Sequence, residues 1–180
     1  MPIPRRLGMQ LGTMAALVGI AVALYSSWSL DRALFLHFTR GSSAHVGPYS
    51  AHLPLSWYLG DSIPGQHTQF LLSPAAPGNP DSHAMLEFTP DTRFTQPFAA
   101  SNWQQTMLSV LASKRPNARF EAETVPATGL TFYCVRADAQ PPWEVELHCK
   151  ADVEGLTFSY DGTRKRLSQA RAILASVQKG

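Results

Sequence analysis

The 180-residue chain has little charge, and one long stretch of it has none. Acidic and basic side chains make up 16% of the residues, and the net charge at neutral pH is +2. Between Leu7 and Leu30, 24 consecutive residues carry no charged side chain. A helix of that length extends about 36 Å, which exceeds the ~30 Å hydrocarbon core of a bilayer. The stretch therefore predicts a single transmembrane helix.

The residues that flank this stretch predict its orientation. Arg5 and Arg6 precede it, and basic residues next to a span favour the cytoplasmic side. Residues 1–6 are then cytoplasmic, residues 7–30 cross a bacterial inner membrane once, and the rest of the chain lies in the periplasm. Two alternatives remain: a buried helix of a soluble protein, or a signal peptide cleaved after the small-x-small sequence at residues 21–23. Cleavage would release a secreted soluble binding protein.

The remainder of the chain lacks an excess of either charge. Removing Arg5, Arg6 and Arg32 from the 15 basic residues, and Asp31 from the 13 acidic ones, leaves 12 of each. A domain that binds nucleic acid concentrates Lys and Arg on one surface. We therefore expect no nucleic acid among the partners.

Motifs that carry catalysis are also missing. The sequence contains no H-E-x-x-H zinc motif, no G-x-S-x-G nucleophile elbow and no glycine-rich phosphate loop. We therefore predict no catalytic residue, no metal ligand and no cofactor. Strand pairing could still bring His52, His67 or His83 close to a carboxylate, and such a cluster would favour the alternative of a small envelope hydrolase.

Cysteine is scarce, and its two positions are informative. Cys134 and Cys149 are the only cysteines. The midpoint between them falls inside a proline-rich turn predicted at residues 137–142, so the two face each other across a hairpin. An even number of cysteines in an oxidising compartment favours a disulfide. Two buried free thiols are the alternative, and zinc is disfavoured because only His148 is close by.

Periodicity divides the outer part into strands and two helices. Residues 31–47 are expected to link the anchor to a folded domain at residues 48–180. Their apolar patch either prolongs the anchor helix or lies along the membrane surface, and Gly41, Ser42 and Ser43 form a flexible link. The predicted strands lie within residues 49–60, interrupted at Pro54, and at residues 68–72, 84–88, 118–125, 130–135, 143–149 and 156–160. A turn at 61–65, a loop at 73–82 and a connector at 89–97 separate them.

Two amphipathic helices complete the pattern. The first begins at Ser101, which with Gln104 has the form of a capping box, and it ends before Pro116. The second begins after the N-cap Thr163 and is followed by an apolar face with helical spacing. The Glu residues on the predicted strands, and most basic residues of the last helix, are expected to face solvent. The fold class is therefore α+β, with an antiparallel sheet packed with two helices.

The order of these elements resembles the PsbP/DcrB-like superfamily. The likeness rests on Leu53-Pro54-Leu55-Ser56-Trp57 near the start, and on Leu156-Thr157-Phe158-Ser159-Tyr160 followed by Ile173-Leu174-Ala175-Ser176-Val177 at the end. The resemblance implies an α/β/α sandwich around an antiparallel sheet. It also implies a non-enzymatic role, because the relatives are mostly extrinsic photosystem proteins, envelope proteins and effector chaperones. No catalytic residue carries over, and the cysteine pair is not part of the family pattern.

These observations predict a membrane-anchored, non-enzymatic binding or assembly module of a cell-envelope complex. The expected partners are the membrane, through residues 7–30, and a protein of unknown identity, with a homodimer as a further option.

Overall fold

The computed structural model describes residues 5–60, 68–72, 81–89, 99–139, 141–153 and 155–180, without the side chains of residues 5–12, 24–30, 32 and 68–72. The turn predicted at 61–65, and nearly all of the loop at 73–82 and the connector at 89–97, lie outside these ranges. The helices are α1 (Arg5–Arg40), α2 (Ala100–Lys114) and α3 (Leu167–Ala175), the last after a 3₁₀ turn at Arg164–Arg166. The strands are β1 (Ser43–Val46), β2 (Tyr49–His52), β3 (Tyr58–Leu59), β4 (Thr68–Leu72), β5 (Ser82–Phe88), β6 (Phe120–Ala127), β7 (Leu130–Asp138), β8 (Val145–Ala151), β9 (Leu156–Gly162) and β10 (Gln178–Lys179).

Seven of these strands form one antiparallel sheet in the order β3-β4-β5-β9-β8-β7-β6. The neighbours β7, β8 and β9 are the three-stranded meander that the sequence predicts. β5 then pairs with β9, which is distant in sequence, and this crossover joins the two halves of the domain. The mixed α+β class with antiparallel sheets is therefore confirmed.

Side chains that alternate along these strands make the sheet apolar on one face. Cys134, Cys149, Phe158 and Leu86 form a row across four neighbouring strands, and each is at most 2% exposed. We call this side the core face. α3 closes over it with its buried side chains, as the helical spacing predicts. Those side chains are Leu167, Ala170, Ile173 and Leu174.

The opposite face of the sheet is covered in part by α2, which contacts β6, β7 and β8. Val135 and Ala137 alternate away from the core face and are 0% and 1% exposed. Leu111 of α2 is also buried. The two helices predicted from sequence thus lie on opposite faces of the sheet.

The capping box predicted at the start of α2 is wrong. The N-cap is Ala99, and no side chain caps this helix. The Gln104 amide instead donates to the carbonyl oxygens of Glu123 (2.9 Å) and Cys134 (2.7 Å) on the sheet. Two hydrogen bonds to half-buried strand carbonyls compete successfully with one bond to an exposed helix end.

The predicted link at residues 31–47 is partly wrong. α1 continues to Arg40, which agrees with the prediction that the apolar patch prolongs this helix. The flexible link and the domain start at residue 48 are wrong, because residues 43–46 form β1, which pairs with β2. β2 pairs in turn with β10, making a three-stranded sheet whose buried residues join the main core. The alternating burial of Ala44 and Val46 explains the strand, since both side chains contact the core.

Thr163 lies at the predicted N-cap position, but it caps the 3₁₀ turn and makes no side-chain cap bond.

Within the part of the chain that the structure describes, no helix combines the length and the apolarity needed to cross a membrane.

Candidate functional site

The first candidate surface is the segment of the N-terminal helix from Thr13 to Ala23, where the apolar side chains are exposed. Every residue from Thr13 to Ala23 is exposed. The large apolar members of this segment are each more than half exposed, which is unusual for a surface in water. They are Met14, Leu17, Val18, Ile20 and Val22, with exposed fractions of 64, 60, 60, 56 and 62%.

The C-terminal end of the same helix contacts the domain on one side only. Ala33 is 0% exposed, and Leu36 packs against the main core. The His37 Nε2 atom lies 3.2 Å from the carbonyl oxygens of both Pro54 and Trp57, so this nitrogen donates to the turn before β3. α1 is thereby fixed to the domain by apolar contact and by hydrogen bonds. His37 was not among the candidate residues predicted from the sequence.

The cysteine pair lies on the core face, between β7 and β8. Cys134 is directly opposite Cys149 in the β7–β8 register, as predicted from the symmetric hairpin. The two Sγ atoms are 2.08 Å apart, which is the distance of a disulfide bond. Both residues are buried, so the bond crosslinks the core of the sheet.

One of the three predicted histidines meets a carboxylate. His83 Nε2 is 3.2 Å from Asp161 Oδ2, since His83 and Asp161 are opposite each other on β5 and β9. The Trp143 and His83 rings meet edge to face, and their centroids are 5.1 Å apart. His52 lies in the three-stranded sheet, away from this pair, and His67 lies outside the described residues.

A second titratable pair lies beside this one on the same face. Glu146 is directly opposite Asp161 in the β8–β9 register, and its Oε2 atom is 3.7 Å from His148 Nε2. His148 is opposite Ser159. In the described part of the chain, these and other His, Cys, Asp and Glu side chains form no group of three or more placed to hold a metal ion.

The strand carboxylates are predicted to face solvent, but several form ion pairs. Glu123 pairs with Arg171 of α3, and Glu146 pairs with Arg115 directly after α2 (2.9 Å), so both pairs join a helix to the sheet. Glu121 is 62% exposed and pairs with Arg136 on the neighbouring strand. Two basic residues of the 3₁₀ turn are paired as well, Arg164 with Asp138 and Arg166 with Asp81 (3.3 Å). Because these arginines pair with carboxylates of the fold, their charge is less available to attract an anionic partner.

Tyr160 closes a buried polar network on the core face. Its hydroxyl donates to the Thr163 carbonyl oxygen at 2.6 Å and lies 3.1 Å from Ser82 Oγ. The Thr163 N–H donates to the same Ser82 Oγ at 3.2 Å. Burial raises the pKa of Tyr160 above its ordinary value, and the Asp81 carboxylate raises it further.

This pKa shift predicts a loss of stability in alkali. Below pH 10 the phenol is protonated in both states and contributes no pH dependence. Above pH 10 the unfolded chain releases the proton while the fold retains it, so the free energy of unfolding falls as pH rises. Urea unfolding between pH 9 and pH 11 should show a smaller fall for Tyr160→Phe than for the wild type. Equal slopes would contradict the assignment. Tyr49→Phe should reduce the fall as well, because burial also raises the pKa of Tyr49.

Comparison with known proteins adds little to this picture. No family model and no curated protein matches the chain. A crystal structure from Bacteroides thetaiotaomicron VPI-5482 superposes with a TM-score of 0.47 at 11% identity, over 76% of this chain and 47% of that chain. This chain therefore spans about half the length of that structure. The PsbP/DcrB-like resemblance remains a prediction.

Proposed function

We propose that this protein is a membrane-anchored, extracytoplasmic binding or assembly module of a bacterial cell-envelope complex. The observation that carries the proposal is α1. It is one continuous helix with a 24-residue charge-free stretch, and the described apolar side chains of that stretch are exposed. Apolar surface of this extent is stabilised by lipid or by a partner.

The Cys134–Cys149 pair supports the same compartment. A disulfide persists in the periplasm and is rare in the cytoplasm, where thiol reductants act. Arg5 and Arg6 before the stretch favour the orientation that puts the domain in the periplasm. The opposite positions of α2 and α3 on the sheet support the finer proposal of a PsbP/DcrB-like α/β/α sandwich.

Extraction of membranes with alkaline carbonate tests the anchor. The full chain should stay with the membrane pellet, and a variant that lacks residues 1–30 should appear in the supernatant. Protease added to spheroplasts should degrade the domain of the full chain. A mature N-terminus at residue 24 would overturn the anchor in favour of a secreted protein. Release of the full chain by carbonate would overturn it outright.

The partner is a protein, and a second copy of the chain is one option. Chemical crosslinking in intact membranes, followed by detergent extraction and sizing, distinguishes a homodimer from a larger complex. A chain that remains monomeric at every crosslinker concentration would contradict the assembly role.

A second candidate function rests on His83. Its contact with Asp161 orients the imidazole as carboxylates orient a general base, and Trp143 covers one side of the ring. This arrangement favours a small hydrolase with His83 as base. Ester and amide substrates should be turned over by the wild type and by His45→Ala, whose histidine is exposed on β1, but not by His83→Ala. Equal turnover by all three proteins would exclude this function.

A further inference from the structure

The last turns of α1 have two apolar sides, and the domain covers only one. Ala33, Leu36 and His37 face the domain. At 100° per residue, Leu34, Phe35 and Phe38 fall on the opposite side of the helix. Their exposed fractions are 44, 69 and 92%. Two phenyl rings on the outside of a helix that already has a buried side require a second apolar surface.

The distance of these residues from the charge-free stretch indicates which surface this is. α1 is continuous from Leu30 to Arg40, so Phe35 lies about 7.5 Å and Phe38 about 12 Å beyond Leu30 along the axis. The headgroup layer extends roughly 5–8 Å from the hydrocarbon core. Phe35 therefore falls within that layer and Phe38 beyond its outer side, and helical side chains tilt toward the N-terminus, which moves both rings toward the bilayer.

We propose that Leu34 and Phe35 insert into the headgroup layer of the bilayer, with Phe38 at its outer surface, and hold the domain against the membrane in one orientation. This inference rests on the proposed anchor. The same helical turns contact lipid on one side and the domain on the other, so the domain cannot rotate freely about a flexible link. The β3 edge of the large sheet, which α1 contacts, lies nearest the membrane.

The far edge of the sheet is distant from this contact. β3 and β7 are five strand spacings apart in the sheet order, or about 24 Å at ~4.8 Å per spacing. α2 contacts β6, β7 and β8, on the side of the sheet order far from β3. Val110 of α2 is 40% exposed and therefore reports on this distant surface.

Nitroxide labelling of the full chain in lipid nanodiscs tests the contact. The two native cysteines are bonded to each other and buried, so one introduced cysteine is the only reactive thiol. Three single variants are labelled: Met14→Cys in the charge-free stretch, Phe35→Cys in the proposed contact, and Val110→Cys as the remote control. Collisions with oxygen, which concentrates in lipid, and with a water-soluble nickel complex are then measured by power saturation.

The expected result is a graded series. The ratio of oxygen to nickel collisions should be highest at position 14, intermediate at 35 and lowest at 110. A ratio at 35 as low as at 110 would overturn the contact and leave the anchor intact. Weak collisions with both reagents at 35 would also overturn it, because protein rather than lipid would cover the site. A low ratio at 14 would refute the anchor, and the contact with it.

Discussion

Replacing Trp57 with alanine should lower the free energy of unfolding by about 4 kcal/mol, as truncation of a buried tryptophan does. Trp57 is 0% exposed, and its indole N–H donates to Gln169 Oε1 of α3 at 3.0 Å. Its backbone carbonyl accepts from His37 of α1. One residue therefore joins α1, the turn before β3, and α3. The cavity left by the indole cannot close without moving at least one of them.

Urea unfolding of the full chain in detergent measures this loss. Leu55→Ala is the matched control, because Leu55 lies in the same turn but is 63% exposed. Its effect should stay within about 0.5 kcal/mol of the wild type. Gln169 retains a hydrogen bond from Arg166 in the Trp57 variant, so the loss comes mainly from packing. A loss below about 1.5 kcal/mol for Trp57→Ala would contradict this account of the site.

Removing the disulfide by Cys134→Ala with Cys149→Ala should lower the free energy of unfolding by about 3 kcal/mol, the chain-entropy value for a loop of this size. The two cysteines are 15 residues apart. The crosslink restricts the unfolded hairpin, whereas the folded hairpin is already held by the β7–β8 register. The expected effect therefore falls mainly on the unfolded state.

Reductant provides the control for this prediction. Unfolding of the wild type in excess dithiothreitol breaks the bond in the unfolded chain, so its stability should approach that of the double variant. The remaining difference reports the small voids that alanine leaves at two buried positions. If the double variant were as stable as the oxidised wild type, the bond would not form in the native protein.

Much of the fold was predictable because its signals are local. Period-two alternation identifies β7, β8 and β9, since a strand with one buried face repeats every two residues. The symmetric positions of Cys134 and Cys149 about a proline-rich turn predict both the hairpin and its register. The spacing of Leu167, Ala170, Ile173 and Leu174 predicts the buried side of α3. None of these inferences requires knowledge of a distant strand.

Other features depend on contacts between distant segments. The capping box at Ser101 is a valid local signal, but Gln104 finds better partners on β6 and β7. His83 meets Asp161 only because β5 pairs with β9. The carboxylates of β6 and β8 meet their arginines only after α2 and α3 pack against the sheet.

The sequence by itself determined the charge-free stretch, the α+β class, the meander and the cysteine pair. Each depends on composition or on periodicity within one segment, and local geometry converts these directly into structure. Only the tertiary structure decided that α1 continues past Leu30 and contacts the domain, that residues 43–46 form a strand, and that Phe35 and Phe38 are left exposed. The physical reason is that burial depends on which distant surfaces meet.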